Sequence, residues 1–452
     1  MNRPVEVNLT ELIDKNPVSA FQFRIFILCA LVAFLDGVDT QSIGVAAPFI
    51  ADTLKLPKGQ LGLVFSGALI GAMIGALVLG ACADRLGRKR VLIASALLLG
   101  AGTIATASAH TLGSLIAWRV AAGIGLGGAT PCFISLASEY APARRRSSII
   151  SVLWAAFPLG GMLGGFFNSY LLRFYDWHAI FLLGGALPIL LAVALAFWLP
   201  ESARFLAGRD GKSATLKRIM QKLTGTQAPA HVTVDDHGPS GASIGHLFSE
   251  KRARGTLLLS GAFFMSFGTL AVIVLWTPAL LHAGGVSPAD TAVVIGFHGL
   301  GALAGMGIVG RMIERFGPAI TLVPSLLVGT VATAALGYVS TSVAGASVVM
   351  TAIGVFLGIG ASGSIALAVM AYPATLRSTG VGWSMSMGRL GQVIAPIATG
   401  AVFQAGFSPP QTLLAVAALP LVAALLVVSM SVGHLLPRGP VHEAKQSTFA
   451  GR

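Results

Sequence analysis

Four side chains could do chemistry where charge is costly. Asp36 and Asp39 lie in Phe34-Leu35-Asp36-Gly37-Val38-Asp39-Thr40-Gln41, inside an apolar run from Phe21 to Ile50. Arg119 and Arg389 lie inside two further apolar runs. About 20 apolar residues cross a bilayer as a helix. A carboxylate at that depth costs about 2.5–3.5 kcal/mol on insertion scales, so its presence points to an ion or substrate pathway. The alternative is pairing with cationic helices that only holds a bundle together. A proton carrier must exist both charged and neutral. Burial disfavours the charged form of a carboxyl group and a nearby Arg favours it, so two acids can divide the work. Their spacing of three puts Asp36 and Asp39 on one helix face.

Counting depth suggests partners. Asp36 is about 18 Å along its helix from Arg24 at the inner edge, and Arg389 is about 18 Å from Arg377. The two therefore share a depth near the midplane, in opposite halves of the chain. Arg119 lies further out, closer in depth to Asp39, and in the same half.

The elements that must position these groups are membrane spans. Charged residues make up 10% of the 452, and mean hydropathy is +0.81. A soluble domain carries about 25% charged residues. The chain reads as an all-α polytopic membrane protein with twelve spans. These cover 22–46, 60–80, 91–108, 113–137, 147–171, 178–199, 256–281, 289–309, 319–338, 345–370, 379–404 and 411–434. The expected layout is an N-terminal segment 1–21, a six-helix bundle 22–199, a hydrophilic loop 200–255, a second bundle 256–434 and a tail 435–452. In the loop, Asp210-Gly211-Lys212 and Asp235 to Gly241 read as turns and linker.

Of the 30 Lys and Arg residues, 25 fall on one side when both termini are placed inside. Three, Lys55, Lys58 and Arg173, fall outside, and Arg119 and Arg389 are within spans. That asymmetry places both termini in the cytoplasm. It also explains the formal charge of +13 without a nucleic-acid partner. Cys29, Cys82 and Cys132 show neither metal-ligand spacing nor a disulfide framework. No removable signal peptide is read at the N-terminus.

The chain repeats itself. Gly80-Ala-Cys-Ala-Asp84-Arg85-Leu-Gly87 returns as Gly310-Arg-Met-Ile-Glu314-Arg315-Phe-Gly317. Tyr140-Ala-Pro142-Ala-Arg-Arg145 is echoed by Tyr372-Pro373-Ala-Thr-Leu-Arg377. Six spans per half make this a parallel repeat about the membrane normal, with a binding site near the midplane between halves. The segment matching Asp36 and Asp39, around Phe264-Met265-Ser266-Phe267-Gly268, has no acid.

Gly80 to Arg90 resembles the inner-loop signature of the major facilitator superfamily, and Arg119 to Pro131 resembles its fourth-span motif. Pro200-Glu201-Ser202-Ala-Arg204-Phe205-Leu206 is similar to its motif after span 6. Leu35 to Pro48, with Ile13-Asp14 and Phe21-Gln22, looks like the aromatic acid:proton symporter family. Tyr372-Pro373, Arg377 to Gly382 and Gly388-Arg389-Leu-Gly391 resemble that family's spans 10 and 11. Val38 stands where several members carry an aromatic residue.

The resemblance implies a proton-coupled importer of an aromatic carboxylate of the hydroxybenzoate, protocatechuate or benzoate type in a bacterial inner membrane. It would work by alternating access, without a cofactor, as a monomer. The alternative is an exporter, or a porter for another organic anion or a drug. Arg389 would then receive the substrate carboxylate, since its planar fork fits a carboxylate in two parallel bonds; a structural pair with Asp36 is the alternative. Asp36 and Asp39 would couple the proton, with Arg119 biasing one of them. His298, in mid-span 8, could hydrogen-bond substrate or serve packing. Trp154, Phe157, Trp276 and Trp383 could stack on a ring, or pack on helices. Gln392 and Asn168 are possible hydroxyl partners. By resemblance, Asp84, Arg85, Arg88, Glu139 and Arg144, with Glu314 and Arg315 in the second half, would form inner-edge ion pairs that gate access.

Other classes fit less well. A drug:proton antiporter would carry Gly-Pro followed by Gly-Gly in span 5, where this chain has Phe157-Pro158-Leu159-Gly160-Gly161. Neutral sugars need no buried Arg in span 11. An enzyme would need a nucleophile–base or metal constellation, and no Gly-x-x-x-x-Gly-Lys-Ser/Thr phosphate loop occurs, since Leu206 stands where the first glycine ahead of Gly211-Lys212-Ser213 would be.

Overall fold

The computed structural model describes residues 6–8, 12–14, 16–209, 214–224, 231–233, 244–249, 252–339, 342–373 and 375–433. The expected turns at 210–212 and 235–241, and the tail beyond 433, lie outside them. Twelve long helices are present among the described residues. In the first half they are α1 (Ala20–Thr53), α2 (Leu61–Leu86), α3 (Arg88–Ala107), α4 (Leu112–Tyr140), α5 (Arg146–Phe174) and α6 (Trp177–Trp198). Two short helices follow, α7 (Ala203–Arg209) and α8 (Ala214–Thr224). The second half holds α9 (Ala253–Ala283), α10 (Pro288–Phe316), α11 (Pro318–Val339), α12 (Val343–Ala371), α13 (Arg377–Gln404) and α14 (Pro409–Val432).

Eleven of the twelve are long and apolar enough to cross a membrane. The other, α13, has 28 residues and is more polar because it carries Ser378, Thr379, Ser384, Ser386, Arg389 and Gln392. Helix starts are set by hydroxyl caps, which satisfy otherwise orphaned backbone N–H groups. Thr111 and Ser114 cap each other at α4, and the Ser287 hydroxyl accepts from the Asp290 N–H ahead of α10.

The repeated signature is not a loop. Asp84 and Arg85 are the last turn of α2, Glu314 and Arg315 the last turn of α10. One glycine separates each helix from the next, Gly87 at φ 98° and Gly317 at φ 83°. Only glycine takes that backbone without strain, which is the physical reason both copies keep it.

Two strands, β1 (Glu6–Asn8) and β2 (His231–Thr233), pair in parallel with Val7 opposite Val232. Contacts divide the chain into two compact units. The first comprises Met1–Asp39, Ile70–Gly160 and Phe181–Gly238. Its inner core joins Ile25, Leu28 and Val32 of α1 to Phe133 and Leu136 of α4 and Leu195 of α6. Loop helix α8 adds Leu216, Ile219, Met220 and Leu223 to that core, together with Ile13 from the N-terminal segment. These four follow i, i+3, i+4, i+7 spacing, so the loop contributes to the bundle rather than only linking.

The second unit comprises Thr40–Leu69, Gly161–Ile180 and Pro239–Arg452. It therefore holds the outer ends of α1, α2 and α5 with the second half of the chain. Small residues allow this. A side chain at Gly44 would strike the Val274 carbonyl at 2.8 Å, one at Gly62 the Pro396 carbonyl at 2.6 Å, and one at Gly165 the Cα of Gly296 at 2.8 Å. Close approach through small residues is how helices associate in lipid, where hydrophobic driving force is absent.

Candidate functional site

Asp39 is 4% exposed and Arg119 1%. Arg119 donates from Nη2 to Asp39 Oδ2 at 2.7 Å and from Nη1 to Oδ1 at 3.2 Å. The Thr103 hydroxyl donates to Oδ1 at 2.8 Å. Three donors from α3 and α4 thus converge on one carboxylate of α1. The helices reach this range because of glycine: a side chain at Gly102 would lie 2.6 Å from the Ala122 N, and one at Gly125 would lie 2.5 Å from the Leu99 N. The pair that depth counting joins is therefore made within the first unit. A buried ion pair survives only when its hydrogen bonds are met, and both carboxylate oxygens here have donors. Among the described residues none accepts a hydrogen bond from Arg119 Nε.

Asp36, one turn before Asp39, is half-buried in the first unit; Arg389 and Gln392 are half-buried in the second. His298 in α10 is buried at 4% exposure, and its Nε2 has no hydrogen-bond partner among the described residues. Trp154 and Phe157 of α5 are half-buried, Trp154 edge-on to Phe133 at 6.5 Å. Trp383 is also half-buried; its indole donates to the Ser260 hydroxyl at 3.0 Å, and its ring meets Phe248 at 5.4 Å.

Two of the sequence candidates lie at the outer end of the second unit. Trp276 is fully buried, donates to the Pro396 carbonyl at 3.0 Å and meets Phe65 and Phe403 edge-on. Asn168 donates to the Ser42 hydroxyl at 3.1 Å. Beside them, Gln41 donates to the Ile295 carbonyl at 3.2 Å and Ser66 to the Val393 carbonyl at 2.7 Å. All four are at most 3% exposed. Gln41 and Ser66 were not singled out by sequence, because one polar side chain in an apolar helix has no pattern to betray its target.

At the inner edge, Arg88 is ion-paired with Glu139. Glu139 Oε2 also accepts from the Ser202 hydroxyl at 2.5 Å. Glu201, absent from the expected gating set, is as central: Oε1 accepts from the Lys89 N–H at 3.0 Å and the Ser202 N–H at 2.9 Å. The Tyr140 hydroxyl donates to the Glu201 carbonyl at 2.7 Å. The available signal was the Pro200-Glu201-Ser202 motif itself. Asp84, Arg85, Arg144, Glu314 and Arg315 are exposed, and Arg315 lies over the Phe316 ring at 5.3 Å.

The Major Facilitator Superfamily model matches residues 29–350 and 258–450. The chain belongs to the Major Facilitator Superfamily. It is 34% identical to the 4-hydroxybenzoate transporter PcaK of Acinetobacter baylyi, covering 84% of this chain and 85% of that one. It is 33% identical to a gallate transporter of Pseudomonas putida, over 96% of each. In fold, the partially occluded inward-open xylose transporter XylE of E. coli superposes with a TM-score of 0.70 at 20% identity, over 91% of this chain and 98% of that one. As a facilitator-superfamily protein it is a multi-pass transporter of the inner membrane, not an enzyme.

Proposed function

We propose that this chain imports an aromatic carboxylate of the hydroxybenzoate type, driven by protons, through alternating access. The observation that carries the reading is a carboxylate at membrane depth, Asp39, buried against Arg119, with a second acid, Asp36, one turn away and only half-buried. Two acids one turn apart, one paired with a buried Arg and the other half-buried, can divide the coupling of a proton between them. Likeness to 4-hydroxybenzoate and gallate transporters supports the same substrate class.

In this scheme Arg389 receives the substrate carboxylate, because a guanidinium fork makes two parallel charge-assisted bonds. Trp154, Phe157 and Trp383, all half-buried, offer a face or edge to the ring. The unpartnered Nε2 of His298 and the Gln392 amide suit ring hydroxyls. Trp276 and Asn168, wholly buried, close the outer end instead. The Arg88–Glu139–Ser202 cluster, joined to Glu201 through Ser202, holds the inner ends of α3, α4 and α6 together and rearranges as access alternates.

The test is uptake by proteoliposomes under an imposed pH gradient, with labelled hydroxybenzoates, benzoate, gallate and a sugar in parallel. Accumulation of an aromatic acid but not the sugar is expected. Gradient-independent uptake, or accumulation of the sugar alone, would overturn the assignment.

A further inference from the structure

The Thr103 hydroxyl does not make the local bond that most buried helical threonines in this chain make. Thr106, Thr333 and Thr399 each donate to the carbonyl four residues earlier in their own helix. That is the usual local bond for a threonine within a helix. Thr103 is 1% exposed and instead points its hydroxyl across to another helix, at Asp39 Oδ1, 2.8 Å away. A Cβ at its neighbour Gly102 would lie 2.6 Å from the Ala122 N of α4, so the glycine lets the two helices approach and the hydroxyl and the Arg119 guanidinium reach the same carboxylate.

We infer that Thr103 is a positioning residue for proton coupling: its hydroxyl fixes the Asp39 carboxyl group in place beside the Arg119 guanidinium. This rests on the proposed role of Asp39 as a coupling acid. Of the elements around the carboxylate, α4 presents Arg119, α3 presents Thr103 and no charge, and α1 itself carries Asp36 one turn back. Arg119 can only donate, whereas a hydroxyl both donates and accepts. When Asp39 takes a proton, Thr103 is the partner that can turn from donor to acceptor, so the carboxyl group stays seated in both states. Arg119 keeps its own donors for the moment the proton leaves.

The experiment compares Thr103→Val, which keeps the shape and loses the hydroxyl, with Thr103→Ser, which keeps the hydroxyl. Thr103→Ala provides a second hydroxyl-free variant if the Val form does not insert. Each is reconstituted, and proton-driven uptake of labelled 4-hydroxybenzoate is followed from pH 5 to 8, alongside exchange of internal for external substrate. The expected result is a move of the uptake midpoint by about one pH unit in the hydroxyl-free variants, the size of one bond to a charged group. Exchange persists, and Thr103→Ser restores the original midpoint. An unchanged midpoint in Thr103→Val and Thr103→Ala, or a Ser variant that behaves like Val, overturns the inference. Asp39→Asn separates the two levels. If it still concentrates substrate with the original pH profile, the reading of Asp39 fails. If it loses accumulation while the Thr103 variants keep their midpoint, only the role of Thr103 fails.

Discussion

Asp39 and Arg119 face each other through two near-parallel bonds, 2.7 Å and 3.2 Å long, with almost no solvent at either group. Removing one partner leaves a bare charge in a low-dielectric interior, a cost of about 3–5 kcal/mol. Removing both leaves none.

The first prediction follows. Arg119→Ala lowers the melting temperature in detergent and abolishes uptake. The double variant Asp39→Asn with Arg119→Gln recovers most of the melting temperature but none of the proton-driven accumulation. Equal melting temperatures for Arg119→Ala and the unmodified protein would contradict a net buried pair.

A second prediction concerns the carboxylate clamp. Arg389→Lys keeps the charge and loses the planar fork. It lowers apparent affinity for 4-hydroxybenzoate at least tenfold, and Arg389→Ala abolishes uptake, while membrane insertion is unchanged. Equilibrium binding of labelled substrate to purified protein reads both.

The outer end supplies a third. Any side chain at Gly62 meets the Pro396 carbonyl, with the Cβ alone at 2.6 Å. Gly62→Leu prevents the outer ends of α2 and α13 from meeting. The variant still binds substrate added outside and no longer delivers it inside. An impermeant maleimide labels a cysteine substituted for Ser66 faster in that background than in the parent. Unchanged labelling and uptake would remove α2 and α13 from the outer seal.

A fourth addresses the inner edge. Glu201 accepts from two backbone N–H groups, one of them at the start of α3. Glu201→Ala leaves those donors without their carboxylate partner, a loss of about 1–3 kcal/mol. Turnover falls several-fold with little change in substrate affinity. Equal losses in both would count against a gating role.

Much of this was legible in the residues. Long apolar runs and the Lys/Arg asymmetry locate helices because lipid leaves the backbone few alternatives. Counting 1.5 Å per residue suffices to bring Asp39 to Arg119, because two helices of one bundle share a depth scale. What was hidden is instructive. Thr103, Gln41 and Ser66 are single polar residues whose targets sit on other helices, so no period or spacing exposes them. The signature at Asp84 to Gly87 reads as a loop by composition, yet it is helical up to one glycine at positive φ. Helix α8 has a readable apolar face, masked by the polarity of the stretch around it.

The most direct measurement of the central claim is substrate-dependent proton flux. Proteoliposomes holding a trapped pH dye are given 4-hydroxybenzoate outside, without any imposed gradient. Proton import with the acid and none with a sugar is the predicted result, lost in Asp36→Asn and Asp39→Asn. Uptake of labelled acid with no accompanying proton movement would contradict it.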